Sequence, residues 1–287
     1  MPGITERFAP SPTGRLHLGH AFSALLGHDA ARRAGGRFLL RLEDLDRARS
    51  RMVFETGIAE DLTWLGLTWD GAVIRQSDRQ KAYDAALARL TQAGLTFTCR
   101  CSRRDIAEAA AAPQEGSPAV GPDGMIYPGT CRLAGHAPGP GTALRLDIHA
   151  AVAHLGGARA LPNLSFREIG LSEPLTQRLS AAALIEGAGD IVLSRRDGAA
   201  AYHLAVVVDD AHQGVTHVTR GEDLLPATPI HRLLQALLDL PVPVYRHHRL
   251  IRDAQGKRLA KRDDARSLAA LREAGETAQS IRAMLDL

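Results

Sequence analysis

Two histidines near the start of the chain, His17 and His20, are the first side chains whose types and spacing could do chemistry. They follow a short apolar run, residues 4–9, which predicts a buried strand, and a loop with two prolines and a glycine. A helix-periodic pattern begins beside them and ends at Gly35 and Gly36. The expected local structure is a strand, a tight loop and the start of a helix.

Such a junction is where an α/β fold binds phosphate groups, because the N–H groups of the first helical turn and the helix dipole both favour an anion. Each imidazole can donate a hydrogen bond to a phosphate or ribose oxygen, and Gly19 between them lets a bulky ligand approach the backbone. Histidines at a helix start also occur as simple caps or surface residues. We interpret His17, Gly19 and His20 as a candidate nucleotide site, with capping as the alternative.

Two opposite charges come at the ends of the first two predicted strands. Arg7 lies at the end of the first strand, and Glu43 follows the second, residues 38–42. Doubly wound sheets bind ligands at such strand ends. A guanidinium can hold a carboxylate through two parallel hydrogen bonds, and a carboxylate can hold an ammonium. The pair therefore suits a zwitterion with an acidic side chain, although charges at strand ends also pair with each other or face solvent.

Lysine is rare in this chain, at three of the 35 basic residues: Lys81, Lys257 and Lys261. A GC-rich coding sequence is the simple explanation for the arginine bias. Against it, two of the three lysines stand close together in a loop that contains glycine. A compact, flexible ammonium suits a migrating phosphate charge better than a planar guanidinium does. We predict a functional role for Lys261 rather than for Lys257.

The three cysteines, Cys99, Cys101 and Cys131, are too few and too odd in number for a disulfide framework. On an extended strand the first two thiols would share one face, and the third lies in a segment, residues 113–141, crowded with proline and glycine. Three thiolates suit zinc, which needs a fourth ligand, and a metal would stabilise this segment. Coordination chemistry alone favours His136 as that ligand. Three unconnected buried thiols are the alternative.

Predicted strands and helices before and after the cysteine-bearing segment must position these candidate side chains. Residues 4–97 alternate between strands and helices, with helices expected at 51–65 and 78–93, which indicates a parallel sheet with crossover helices. A second α/β stretch is expected to include a helix that runs to Leu238, with Thr228 as its N-cap. The remaining predicted strands are residues 144–148, 164–169, 191–193, 205–209, 215–219 and 248–251.

The whole chain sets further limits. Its 287 residues, 45% of them hydrophobic, can bury a large core. There is no apolar run of membrane-spanning length and no leader sequence, so we expect a cytoplasmic protein. A net charge of +3 permits nucleic-acid binding without requiring it, and 4% aromatic residues are too few for a surface that stacks single-stranded bases.

The chain start resembles the HIGH-motif region of class I aminoacyl-tRNA synthetases, with the R-F-A-P-S-P-T-G lead-in of the glutamyl/glutaminyl branch at residues 7–14. Residues 258–262 resemble the KMSKS loop, with Arg258 for the first lysine, Ala260 for the serine and Lys261 as the second lysine. This resemblance covers the whole chain. It implies an α/β, Rossmann-like class I catalytic domain in two halves, residues 1–97 and 181–287, with a zinc-bearing insertion at 98–180 that meets tRNA.

The resemblance also implies a reaction and its residues. The carboxylate of the amino acid attacks the α-phosphate of ATP, which is bound with Mg²⁺, so catalysis depends on positioning and electrostatics. Tyr127 replaces His136 as the fourth zinc ligand beside the three cysteines, because Y-x-x-x-C matches the family pattern. The implied glutamate-binding residues are Arg7, Ala9, Ser11, Glu43, Tyr202 (just before a predicted strand, 204–208) and Arg220; the implied ATP-binding residues are His17, Gly19, His20 and Lys261, of which the histidines and the lysine are catalytic.

The chain ends soon after the KMSKS-like loop, where a full glutamyl-tRNA synthetase continues into an anticodon-binding region, so no such domain is expected. The length and the Y-x-x-x-C pattern favour the truncated, monomeric paralogues that activate glutamate and esterify it to the queuosine base in the anticodon of tRNA(Asp). Three alternatives stay open. They are a minimal glutamyl-tRNA synthetase that charges the 3′ end of tRNA(Glu), an inactive tRNA-binding paralogue and a small-molecule adenylyltransferase.

Overall fold

The first part of the chain forms the parallel sheet that its alternating pattern predicts. The computed structural model describes residues 3–110, 120–171, 173–252 and 267–287. Strands β1, β2 and β3 lie side by side in that order and are parallel, and the helices between them cross over from one strand to the next. The bounds are β1 Thr5–Phe8, α1 Leu18–Arg33, β2 Arg37–Leu42, α2 Met52–Trp64, β3 Ile74–Arg75, a 3₁₀ helix Gln76–Arg79 and α3 Gln80–Gln92.

The middle of the chain adds a separate antiparallel sheet of β4, β7 and β10, with β7 in the centre, and a small hairpin, β5–β6. Strand β8 leaves this region to join the second parallel sheet. The bounds are β4 Thr96–Cys99, α4 Arg103–Ala110, β5 Val120–Gly121, β6 Gly124–Met125, β7 Ala143–Leu146, α5 Ile148–His154, a 3₁₀ helix Leu161–Asn163, β8 Ser165–Glu168, β9 Leu175–Arg178, α6 Ala181–Ile185 and β10 Val192–Ser194.

The last part of the chain completes the second sheet, in the order β11-β12-β8-β9, in which only β9 is antiparallel to its neighbour. Two further helices follow the undescribed residues 253–266. The bounds are α7 Tyr202–His212, β11 His217–Gly221, a 3₁₀ helix Glu222–Ala227, α8 Thr228–Leu237, β12 Val244–His248, α9 Leu268–Glu273 and α10 Ala278–Met284.

The two parallel sheets meet along β1 and the residues that lead into β11. Thr216 donates its backbone N–H to the carbonyl of Thr5 at 2.9 Å, and the Thr5 N–H donates to Oγ1 of Thr216 at 2.8 Å. The combined strand order is therefore β3-β2-β1-β11-β12-β8. The chain order of the strands reverses between β1 and β11, which is where an open α/β sheet forms its ligand crevice, outside the carboxyl ends of the strands.

Most predicted elements are confirmed, one is wrong and three are wrong in part. Residues 205–209 form helix α7 rather than a strand, since the apolar run is that of a helix buried on nearly all sides. Thr228 is the first residue of α8 and not its N-cap, because a 3₁₀ helix leads directly into α8. The strand expected at 248–251 ends at His248. The strand expected at 144–148 ends at Leu146, because Asp147 caps the following helix α5.

None of the helices in the described ranges is both long and apolar enough to cross a lipid bilayer.

Candidate active site

A cleft of about 450 Å³ opens at the carboxyl ends of β1 and β11. Every predicted glutamate-binding residue and every predicted ATP-binding residue that the structure describes lines it. These residues are Arg7, Ala9, Ser11, Glu43, Tyr202 and Arg220, together with His17, Gly19 and His20. Lys261, Lys257 and the KMSKS-like loop lie outside the described residues. One cavity thus unites the candidate amino-acid and nucleotide groups.

His17 and His20 form a reciprocal cap on the first turn of α1. His17 is the N-cap, and its Nδ1 accepts the N–H of Gly19 at 3.1 Å, while Nδ1 of His20 accepts the N–H of His17 at 3.2 Å. In a neutral imidazole whose Nδ1 accepts, the proton resides on Nε2, which is then a donor. Capping therefore fixes the rings and also defines their tautomer, so the two interpretations of these histidines are compatible.

Gly19 leaves room for the His17 ring in this cap. A Cβ atom added at Gly19 would lie 3.1 Å from Cε1 and 3.2 Å from Nδ1 of His17. These distances are shorter than ordinary carbon contacts, so the imidazole would have to shift by a few tenths of an ångström to admit a side chain here. The glycine accommodates the His17 ring as well as leaving the backbone of the cleft open.

Arg7, which lines the cleft, belongs to a buried ion-pair cluster that the sequence analysis missed. Asp210 of α7 accepts hydrogen bonds from Nε of Arg7 at 3.2 Å and from Nη1 of Arg41 at 2.7 Å. All three side chains are buried. Burial alone would raise the pKa of Asp210, but Arg41 and Arg7 outweigh it and hold the pKa below its usual range. The only sign of this cluster in the sequence was the position of Arg41 and Asp210, each in or directly after an apolar segment.

Glu43 and Tyr202 lie next to this cluster. Arg41 is 3.4 Å from Oε1 of Glu43, but burial dominates and raises the pKa of that carboxyl. Tyr202 is the first residue of α7, not a residue before a strand. Burial raises the pKa of Tyr202, with Arg220 and Arg7 acting in the opposite direction. The tyrosine hydroxyl therefore stays neutral and can both donate and accept a hydrogen bond.

Arg220, at the end of β11, is held in one orientation. Its Nη2 donates to Oγ1 of Thr228 at 2.8 Å and to the carbonyl of Leu224 at 3.2 Å. Its Nε lies 3.0 Å from Nε2 of His247, and its Nη1 lies 3.2 Å from Nδ1 of His231. The guanidinium reaches the cleft as a group whose direction is already set.

The described residues on either side of 253–266 lie beside the start of α1. Ile251 lines the cleft. On the other side, Ser267 forms an antiparallel bridge with His17, and the N–H of Leu268 donates to the carbonyl of Leu16 at 2.8 Å. Ile251 and Ser267, described residues on the two sides of Lys261, therefore both lie next to the candidate phosphate site.

The three cysteines converge at a second place, the end of β4. All three Sγ atoms lie within 4.8 Å of one another, and those of Cys101 and Cys131 are 3.4 Å apart. The prediction that Cys99 and Cys101 share one face of an extended strand is wrong, because β4 ends at Cys99 and Cys101 follows the strand. The tertiary fold nevertheless produces a cluster whose donor set and spacing fit a tetrahedral zinc ion.

Tyr127 reaches this thiol cluster. Its Oη is 3.5 Å from Sγ of Cys99 and 3.6 Å from Sγ of Cys101, and it accepts the N–H of Cys131 at 2.8 Å. Across the described parts of the chain, no histidine or carboxylate joins the group of three thiols, whose Sγ atoms lie within 4.8 Å of one another. The contacts favour Tyr127 over His136 as the fourth ligand, which stays a prediction.

The chain is similar to known proteins along its whole length. The family model for class I tRNA synthetases (E and Q), catalytic domain, matches residues 3–120 and 174–287. A Rhodobacter capsulatus protein named glutamyl-Q tRNA(Asp) synthetase is 56% identical and covers 99% of this chain and 100% of the relative. A Nocardia farcinica protein of the same name is 44% identical over 99% of this chain and 84% of that protein.

A glutamate tRNA ligase from Elizabethkingia meningosepticum, solved in complex with its amino acid, superposes with a TM-score of 0.68 at 27% identity. The match covers 91% of this chain and 52% of the ligase, so the chain spans about half the length of that enzyme. The glutamate-tRNA synthetase of Elizabethkingia anophelis gives a TM-score of 0.67 at 26% identity, over 92% of this chain and 53% of that one. The chain therefore belongs to the class I tRNA synthetases of the glutamyl and glutaminyl group and has the α/β fold of their catalytic domain.

Proposed function

We propose that this protein activates glutamate with ATP to glutamyl-adenylate and transfers the glutamate to the queuosine base in the anticodon of tRNA(Asp). The observation that carries the proposal is the single cleft in which two arginines and a glutamate face a histidine-capped helix start. The names of the relatives from Rhodobacter and Nocardia support the choice of acceptor. A cytoplasmic location and a monomeric state belong to the same proposal.

The amino-acid half of the cleft suits glutamate. Arg7 and Arg220 provide two positive charges for the two carboxylates, and Glu43 provides an oxygen for the ammonium, with Ala9, Ser11 and Tyr202 also lining the cleft. Because Asp210 already engages Nε of Arg7, a substrate carboxylate meets that residue along its Nη1 and Nη2 edge. A neutral side chain such as that of glutamine would leave one cation without a counter-charge in a buried site.

The nucleotide half positions the α-phosphate. Class I synthetases use ATP with Mg²⁺, which when bound neutralises charge on the triphosphate. Nε2–H groups of His17 and His20 would donate to phosphate or ribose oxygens at the positive end of α1. A carboxylate oxygen of glutamate attacks the α-phosphorus, the bond to the pyrophosphate oxygen breaks, and the electron pair leaves with pyrophosphate. We assign to Lys261 the stabilisation of that departing charge.

In the transfer step, a hydroxyl group of the queuosine base attacks the acyl carbon of glutamyl-adenylate, an ester forms and AMP leaves. Zinc, held by Cys99, Cys101, Cys131 and Tyr127, would have a structural role, since none of these residues lines the cleft. It would stabilise the insertion that we place at residues 98–180, between the catalytic halves 1–97 and 181–287. Within this range, β8 and β9 pair with the second parallel sheet.

Charging of purified tRNA tests the acceptor. We expect glutamate on tRNA(Asp) that contains queuosine, none on the same tRNA without queuosine, and none on tRNA(Glu). Removal of the 3′ terminal adenosine should leave the reaction intact, because that hydroxyl is not the acceptor. Glutamate on the 3′ end of tRNA(Glu) would instead identify a minimal glutamyl-tRNA synthetase.

Pyrophosphate exchange with a panel of amino acids tests the first step. Exchange should depend on glutamate, and Arg7→Ala should abolish it while ATP still binds. An absence of exchange with every amino acid, with or without tRNA, would favour the inactive tRNA-binding paralogue. Exchange with a substrate that is not an amino acid would favour the small-molecule adenylyltransferase.

A further inference from the structure

Arg220 is the centre of a buried chain of histidines that extends away from the cleft in two branches. In the first branch, Nη1 of Arg220 lies 3.2 Å from Nδ1 of His231, whose Nε2 is 3.0 Å from Nδ1 of His203. Nε2 of His203 lies 2.8 Å from Oδ1 of Asp123. Both histidines are buried, whereas Asp123 is exposed in the turn of the β5–β6 hairpin. This branch joins the cleft to the surface of the middle region.

The second branch is entirely internal. Nε of Arg220 donates to Nε2 of His247 at 3.0 Å, and Nδ1 of His247 contacts Oε2 of Glu168. Glu168 has no exposed surface, and its Oε1 accepts the N–H groups of His247 at 3.0 Å and Gly170 at 2.6 Å. A side chain at Gly170 would collide with the backbone of His247, so the glycine is part of this arrangement.

The hydrogen-bond donors and acceptors that connect Arg220, the histidines and the two carboxylates can be arranged in only one way. Arginine has donors and no acceptor, so the histidine nitrogens that face Arg220 must accept. A neutral imidazole with one accepting nitrogen carries its proton on the other, which then donates to the next group. His247 is therefore the Nδ1–H tautomer, while His231 and His203 are Nε2–H tautomers. Both branches then end correctly on carboxylates, Glu168 and Asp123.

The surroundings keep these imidazoles neutral. Burial and the charge of Arg220 lower the pKa of His231 well below its usual value. The same two causes lower the pKa of His247 to about 4, against the opposing effect of Glu168. A second proton on the His231 or His247 ring would sit on the nitrogen that accepts from Arg220. That nitrogen would then be a donor, and its hydrogen bond with Arg220 would break.

We propose that His231, His203 and His247 are positioning residues that orient Arg220 through neutral acceptors and leave its positive charge for a substrate carboxylate. The contrast with Arg7 supports this. Arg7 is held by the carboxylate of Asp210, which partly neutralises it, whereas the nearest partners of Arg220 are imidazoles, a hydroxyl and a carbonyl. The imidazole of His247 separates Arg220 from Glu168. Two imidazoles, those of His231 and His203, separate Arg220 from Asp123. The assignment of a substrate to Arg220 rests on the proposed function.

Paired substitutions at His231 separate positioning from packing. His231→Asn places an amide oxygen near the position of Nδ1 and should keep the contact with Arg220, whereas His231→Leu removes the acceptor. A hydrogen bond to a charged group corresponds to about ten- to hundredfold in affinity. We expect His231→Leu to raise the KM for glutamate by that factor in pyrophosphate exchange, with the KM for ATP nearly unchanged. His231→Asn should recover most of the loss.

The same logic applies at His247, where the accepting atom is Nε2. His247→Gln can present its side-chain oxygen there and should be milder than His247→Leu. His149, exposed on α5, is the matched control, and His149→Leu should change neither KM. Equal KM values for glutamate in wild type, His231→Leu and His247→Leu would overturn the proposal. So would equal losses in the leucine and amide variants.

Imidazole ¹⁵N chemical shifts provide a readout that does not need activity or substrate. We expect neutral Nδ1–H for His247 and neutral Nε2–H for His231 and His203 in the full chain near neutral pH, and disturbed shifts for His231 and His247 in Arg220→Leu. A protonated ring or the opposite tautomer at His247 or His231 would overturn the positioning role. The expected tautomers in a protein that does not activate glutamate would refute the proposed function and leave the hydrogen-bonded chain standing.

Discussion

Asp210 and Arg41, 169 residues apart in the chain, form a hydrogen-bonded ion pair of 2.7 Å beneath the cleft, and Arg41 has no exposed side-chain surface. Asp210→Asn should lower the free energy of unfolding by about 3–5 kcal/mol, because a buried guanidinium loses its main counter-charge. Urea denaturation measures this change. The exposed pair Arg89–Asp239 is the control, and Asp239→Asn should cost less than about 1 kcal/mol. Equal effects of the two substitutions would contradict the importance of burial.

Gly19→Ala should weaken ATP binding with little loss of stability. Alanine favours the helix by up to about 1 kcal/mol over glycine, but the new Cβ would push the His17 ring and strain its cap, whose full loss costs about the same. A Cβ atom added at Gly57, within α2, would meet nothing within 4 Å beyond the backbone of its own helix. Gly57→Ala should therefore stabilise the protein and leave the KM for ATP unchanged. An unaltered KM for ATP in Gly19→Ala would show that the orientation of His17 is unimportant for the nucleotide.

Cys101→Ser should release the proposed zinc and make the insertion sensitive to proteases, without abolishing ATP binding at the separate cleft. Metal analysis and limited proteolysis measure these effects. Tyr127→Phe removes the phenol oxygen near Cys99 and Cys101 and should weaken metal retention, while His136→Ala should not. Full retention in Tyr127→Phe with loss in His136→Ala would transfer the fourth position to His136.

Lys261→Ala should lower kcat for pyrophosphate exchange by about 10²–10³-fold, with a much smaller change in the KM for ATP. The reason is that the loss of one preorganised cation acts mainly on the charge that develops as pyrophosphate leaves. Lys81 is exposed on α3, and Lys81→Ala controls for the removal of a lysine charge. Near-normal turnover of the Lys261 variant would mean that Lys257 or Arg258 has taken over the role.

Asp61, buried on α2, should make stability depend on pH. Burial raises its pKa to about 6 despite the nearby Arg272, so the folded state binds a proton more strongly than the unfolded chain. The free energy of unfolding should then fall as the pH rises from about 4 to about 6. Asp61→Asn should remove this decline and be more stable than wild type near neutral pH. Parallel urea titrations at both ends of the window measure it, and identical pH profiles would refute the assignment.

The sequence by itself determined the features that depend on neighbouring residues. The strand, loop and helix start around His17 and His20, the crossover pattern of the first half, and Arg7 and Glu43 at strand ends all follow from local periodicity and turn residues. The placement of Arg7, Glu43, Tyr202 and Arg220 in one cleft was implied by family motifs, and the structure brings them together.

Only the tertiary structure decided the partners of the buried charges. Nothing near Arg41 in the sequence indicates Asp210, and nothing near Arg220 indicates His203, since these contacts form between segments brought together by the sheets. The valine-rich run 204–208 favours a strand by composition, yet burial on nearly all sides permits a helix there. Periodicity reports which face of an element is buried, and it cannot report what that face meets. For this reason the site could be located from sequence, whereas the groups that orient its arginines could not.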